Sequence, residues 1–255
     1  MKKCYMISDI NLCKEYTMQN YEILGIDAHQ SVGMRTYFGR IYNYMAGGLA
    51  VSAGTAYLAT REPFFSLFYS VQNGAVNWSV WGWIAILAPI IMIFSINSAV
   101  ANMNASKASI LFWIFSALMG VSLSNVLLMY TGISIVNAFL VTAAGFLGLS
   151  LYGYTTKKSL ASWGAFLMMG LVGVIMAMLI NIFLKSSVMS LGLSVISVFI
   201  FMGLTIYDTN RLKYMYDERM PEEAQKAIAI NGALALYLDF INLFRLVLYF
   251  MGDRR

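Results

Sequence analysis

The chain has 255 residues, 60% of them hydrophobic and 11% charged, against roughly 25% charged in an average soluble domain. That much apolar sequence excludes a soluble globular core and indicates an all-α, polytopic membrane protein. The net charge of +5 does not point to nucleic acid, because the basic residues fall between the apolar runs, where a positive-inside bias puts them.

Residues 1–35 are polar and mixed in charge (Lys2, Lys3, Asp9, Lys14, Glu15, Glu22, Asp27, Arg35). They have no sustained apolar period and read as a mostly flexible cytoplasmic tail. Both cysteines, Cys4 and Cys13, and the single histidine, His29, fall in this tail. None has partners at metal-ligand spacing, so free thiols in a reducing compartment and a solvated imidazole are expected. No apolar signal-peptide core occurs in the first thirty residues, so the first span is expected to serve as its own targeting signal.

A seven-helix transmembrane domain is expected over residues 36–255. Its apolar runs lie near 38–59, 80–100, 109–130, 132–154, 161–184, 188–210 and 224–250. Each can cross a hydrocarbon core of ~30 Å, which takes about 20 helical residues. Small residues at four-residue spacing, Ala46/Ala50/Gly54, Ser116/Gly120/Ser124, Ala144/Gly148 and Gly173/Ala177, suit close helix packing. Pro89 sits inside the second run and is expected to kink it. The 60–79 loop carries Pro63, Phe64, Phe65, Phe68, Tyr69 and Trp78 and should lie in the headgroup layer.

Counting Lys and Arg orients the chain. With a cytoplasmic N-terminus, Lys2, Lys3, Lys14, Arg35, Arg40, Lys107, Lys157, Lys158, Arg211, Lys213, Arg219 and Lys226 face the cytoplasm. Arg61, Lys185, Arg254 and Arg255 face the other side, and twelve against four favours N-in and C-out. A re-entrant last segment would return the C-terminus to the cytoplasm.

From Pro63 to Tyr207 the chain has no acidic residue; then the last two runs carry one aspartate each, Asp208 and Asp239. A charge at membrane depth costs roughly 2.5–3.5 kcal/mol on insertion scales and marks a functional site by default. The two acids are 31 residues apart, with the midpoint near Pro221–Glu223, where turn signals are strongest. A helical hairpin folded there sets them at similar height. Neighbouring carboxylates in such a place cannot comfortably both ionise, so one shared proton is expected, titrating as a property of the pair. Removing it leaves repulsion that helix separation or a cation relieves. A hard divalent ion fits, and calcium tolerates irregular oxygen geometry best. Asn242, Asn231, Asn125 and Asn97 are the polar groups in nearby runs that can add oxygens, although an interhelical hydrogen bond is the commoner role. Asp208 could instead pair with Arg211 or Lys213, one turn away. Arg245, six positions after Asp239, is expected on a different face, snorkelling to the far interface.

An enzyme is not expected. Two intramembrane aspartates resemble the layout of presenilin-type aspartyl proteases, but those carry Gly-x-Gly-Asp where this chain reads Leu236-Tyr237-Leu238-Asp239. A serine protease site needs a histidine within the membrane, and the apolar runs contain none.

The stretches GLTIYDTNRLK, ALALYLDFINLFRLVLYFMGDRR, FWIFSALMGVSLSNVLLMYTG and LSLYGYTTKKSL resemble the Bax-inhibitor (transmembrane Bax inhibitor motif) family, in its bacterial, YccA-like, inner-membrane branch. The similarity covers about residue 36 to the end. It implies seven helices with the last one central, and a pH-sensitive calcium leak. Its di-aspartyl sensor and cation site would match Asp208 and Asp239. Some members of that family add an arginine from an earlier helix; here none lies between Arg61 and Arg211. No cofactor is implied beyond calcium as the permeant or bound ion. The alternative is a non-transporting regulator that binds another membrane protein, since YccA-like proteins are linked to the membrane-anchored AAA protease FtsH.

Overall fold

The computed structural model describes residues 10–72 and 75–255, with side chains from Val32 onward apart from residues 72–75. Cys4 and the side chains of Cys13 and His29 lie outside the described residues. The elements are α1 (Ile10–Ala59), α2 (Phe64–Phe68), β1 (Tyr69–Gln72), β2 (Ala75–Trp78), α3 (Val80–Ala101), α4 (Ala105–Met129), α5 (Gly132–Thr155), α6 (Ala161–Leu184), α7 (Ser187–Met215) and α8 (Glu222–Met251).

Helix starts follow local chemistry. Ser79, Asn104, Thr131 and Ser186 stand just before α3, α4, α5 and α7, and each side chain accepts a hydrogen bond from a backbone N–H of the first turn. The α6–α7 connection is tight. Lys185 adopts a left-handed conformation (φ 51°), and the Asn181 amide both donates to the Ser186 carbonyl and accepts from its N–H. Helix α3 continues through Pro89.

Among the described residues six helices, α3 to α8, are long and apolar enough to cross a membrane. The expected run at 38–59 belongs to α1, where Arg40, Tyr42, Asn43 and Tyr44 dilute the apolar character. Within the polar stretch, the described residues from Ile10 onward are helical and continuous with the apolar run of α1. Residues 10–35 contain no proline, and extending an existing helix avoids the cost of nucleation.

Helix α8 is the hub. It packs against α1, α3, α4, α5 and α7, while α6 packs chiefly on α7. Ala224, Ala227, Ala229, Gly232 and Ala233 are buried along its first half and let neighbours approach closely. Its second half buries Leu236, Tyr237, Phe240, Leu243 and Leu248. The helix runs unbroken and ends against the α4–α5 connection, where Thr131 N–H donates to the Asp253 carbonyl and Arg255 N–H to that of Met129.

The small-residue stripes divide. Ser116, Gly120 and Ser124 are buried, and a Cβ at Gly120 would run into Thr55 and the Ser52 backbone, so α1 and α4 need that glycine. Gly54, Gly148 and Gly173 have open space around them and mediate no helix contact. The 60–79 loop forms α2 and a β-hairpin pairing Tyr69 with Trp78. The Tyr69 ring stacks on Trp78 and Phe65, and its hydroxyl meets Ser124 Oγ at 2.7 Å.

Candidate functional site

Asp208 lies about two turns before the end of α7, and Asp239 between four and five turns into α8. Their carboxyl groups nevertheless come within hydrogen-bonding reach of each other. Residues 216–221 reconcile the unequal distances. Tyr216 (φ −72°, ψ 123°) and Pro221 (φ −53°, ψ 145°) are extended, so the chain runs on past the end of α7 before α8 begins. The start of α8 is tied down by the Gln225 side chain, which donates to the Met220 carbonyl at 3.0 Å. Glu222 pairs with Arg40 of α1 at 3.4 Å and with Lys226 at 3.0 Å.

Asp239 is 5% exposed; Asp208 is half-buried. One oxygen of Asp239, Oδ2, has no hydrogen-bond partner among the described residues. Asp208 makes no ion pair with Arg211 or Lys213; the Lys213 ammonium instead donates to the Thr156 carbonyl at 3.2 Å. Arg211 is close enough to act on Asp208 electrostatically. The helix-end ion pair weighed from the sequence is therefore not formed.

Both acids face a cavity of about 720 Å³ between α6, α7 and α8. Leu171, Val174, Phe201 and Leu204 give it apolar walls, and Ser194, Ser197 and Asn242 add polar groups. On the side of the α7–α8 turn, Asp208 and Arg211 also border a second space of about 60 Å³, with Asn231 and Gly232. Asp208 thus borders both spaces, and Asp239 lines the wide one alone.

Of the four asparagines considered from sequence, Asn242 and Asn231 line these spaces; Asn97 and Asn125 line neither. Arg245 does not point away as the six-residue spacing suggested. It shares the cavity wall with Asp239 and Asn242 and has no ion pair or hydrogen bond among the described residues. The broad space left between α6 and α8 is what lets a long side chain from a neighbouring face turn into it. Sequence reading passed over Tyr207, whose ring packs against Gly164 of α6 and lines the cavity beside Asp208. It also passed over Tyr237, whose hydroxyl meets Ser52 Oγ of α1 at 2.6 Å. A hydroxyl two residues before a lone intramembrane acid was the available signal.

Chemically, two carboxyl groups this close can hold one proton between them. With none they repel, and Oδ2 of Asp239, unpartnered among the described residues, is left as an acceptor for a proton or a cation. Among the described residues no third acid, cysteine or histidine joins them as a metal ligand.

Residues 34–255 match the family described as Inhibitor of apoptosis-promoting Bax1. The chain belongs to the Bax-inhibitor family. Its relatives within that family include an uncharacterized protein of Caulobacter vibrioides, 41% identical over 90% of this chain and 93% of the relative. An uncharacterized protein of Rickettsia prowazekii is 41% identical over 88% of this chain and 92% of its own. The Escherichia coli inner membrane protein YbhL is 37% identical over 88% of this chain and 94% of its own. A Bax-inhibitor-family membrane protein of apolar helices is thus established, with a bacterial inner membrane protein among its relatives.

Proposed function

We propose that this protein is a pH-sensitive calcium leak in which Asp208 and Asp239 form the sensor and the cation site. A proton shared by the two acids holds α7 and α8 together. Losing it as pH rises leaves two charges that part the helices or take up a calcium ion from the vestibule. Asn242 and Asn231 stand on either side as added oxygen donors. One observation carries this most: a 95%-buried acid with an unpartnered oxygen, facing a partner acid and a 720 Å³ cavity. In this reading α1 makes a seventh crossing, the N-terminus is cytoplasmic, and no bond is made or broken.

The test is calcium flux in proteoliposomes from pH 6 to 8. Flux is expected to rise with pH in the parent and to lose its pH dependence in Asp208→Asn and Asp239→Asn. Unchanged flux and profile in both variants sinks the sensor assignment.

A second reading is a non-transporting regulator that binds a membrane-anchored AAA protease. The extension of α1 to Ile10, well before the apolar run, supports it as a handle. It predicts no flux at any pH, and loss of a co-purifying membrane protein when residues 1–31 are deleted.

A further inference from the structure

Helices α5 and α6 each pack on α7 but barely on each other. The furrow between them is a second cavity, of about 760 Å³, floored by α7. Its walls are Trp163 and Phe166 of α6 and Phe199 and Ile206 of α7; the first three are well exposed. Along α7 the groove runs from Ile206 to Ile196, about 15 Å at 1.5 Å per residue. That is half of a ~30 Å hydrocarbon core, the depth of one leaflet.

One end of the groove is apolar. The other, at the α5–α6 connection, is lined by Lys158. Lys158 is exposed and makes no ion pair or hydrogen bond among the described residues, and Lys157 precedes it. No acidic residue lies between Pro63 and Tyr207 to offset this charge along the chain, and Asp208 opens into the other cavity. A basic mouth over a leaflet-deep apolar furrow is complementary to an amphiphile with a negative head. A second membrane-crossing helix fits less well, because the furrow is only about half as long as such a helix.

We propose that this groove binds one anionic glycerophospholipid, with its phosphate on the Lys158 ammonium and an acyl chain lying along α7 between Phe166 and Phe199. Tyr207 lines both this groove and the vestibule of the two aspartates, so the lipid lies one aromatic ring from Asp208. The assignment does not depend on ion transport.

The experiment uses the full chain in detergent and counts retained lipid by native mass spectrometry. Phosphatidylglycerol is compared with phosphatidylcholine of the same acyl chains. The parent is expected to retain phosphatidylglycerol preferentially. Lys158→Gln should cut that preference roughly fivefold, the factor of one lysine at an anionic lipid surface. Lys158→Arg should keep it, and so should Lys107→Gln, which removes an exposed charge from the start of α4. Gly170→Leu, which fills the groove beside Ile200, should reduce retention of both lipids. Equal retention of the two lipids by the parent overturns the proposal. So does an unchanged preference in Lys158→Gln, or an equal loss in Lys107→Gln. Inorganic phosphate that displaces the lipid's effect on melting temperature would mark a free-anion site and also overturn it. Should Lys158→Gln fold poorly, Lys158→Arg and Gly170→Leu decide the matter alone.

Discussion

The Tyr237 hydroxyl of α8 and Ser52 Oγ of α1 lie 2.6 Å apart, two residues along α8 from Asp239. Ser52 Oγ also lies 2.7 Å from the Ser116 carbonyl and 2.9 Å from that of Gly48. The cluster joins α1, α4 and α8 in the layer just beside the acid pair. The Tyr237 ring packs edge-on to Phe112 and Phe115, so this layer is fixed by shape as well as by hydrogen bonds.

Tyr237→Phe keeps the ring and removes one buried hydrogen bond. Ser52 retains its carbonyl partners, so the loss is about 1 kcal/mol. A modest fall in melting temperature in detergent is expected. An unchanged melt would mean that the hydroxyl contact contributes nothing to the union of α1 and α8.

Gly120→Ala and Gly148→Ala make a matched pair. The added methyl at Gly120 meets Thr55 and the Ser52 backbone, whereas at Gly148 it meets nothing within 4 Å. Overpacking of this kind costs roughly 1–3 kcal/mol. Thermal melts should separate the two variants clearly, with Gly148→Ala close to the parent. Equal melts would show that α1 and α4 can move apart at no cost.

In the proposed reading the acid pair also gives stability a sign with pH. There, a proton shared by Asp208 and Asp239 satisfies both, and its loss introduces repulsion in the folded bundle that the unfolded chain does not feel, so the pair's contribution to stability falls as pH rises. The parent's melting temperature should fall from pH 6 to pH 8, and Asp239→Asn should flatten the curve. A parent curve that rises over this range contradicts the shared proton.

Arg245 places a positive charge, unpaired among the described residues, on the wall of the vestibule that the two acids face. A fixed cation lowers the local concentration of mobile cations. If the vestibule is the route of the leak, Arg245→Gln should raise calcium flux several-fold with its pH profile intact. Reduced flux in that variant would place the route elsewhere.

Much of the site was legible in the sequence because two aspartates in a long acid-free stretch are conspicuous on cost alone. The hairpin between them was legible from its turn signals, but its turn lies closer to Asp208 than the midpoint expected, and the extended residues 216–221 make up the difference. The mistakes share one origin. Arg245 was sent to another face, because helical spacing ranks neighbours within one helix; the same spacing supplied the less favoured alternative that paired Asp208 with Arg211 or Lys213. It says nothing of space between helices. The stripe at Ala144/Gly148 had the same periodicity as the one at Gly120, yet it faces open space, because α5 presents that side to no neighbour.

The sequence by itself determined the class, the helical spans from α3 onward, and the identity of the two acids. These follow from local energetics: burial of apolar runs in lipid and the cost of a charge in hydrocarbon. Only the tertiary structure decided which five helices enclose α8, that α6 stands aside on α7, and that cavities open on either side of it. Those are properties of how helix surfaces fit one another, and packing at a distance in sequence leaves no periodic trace in any one segment.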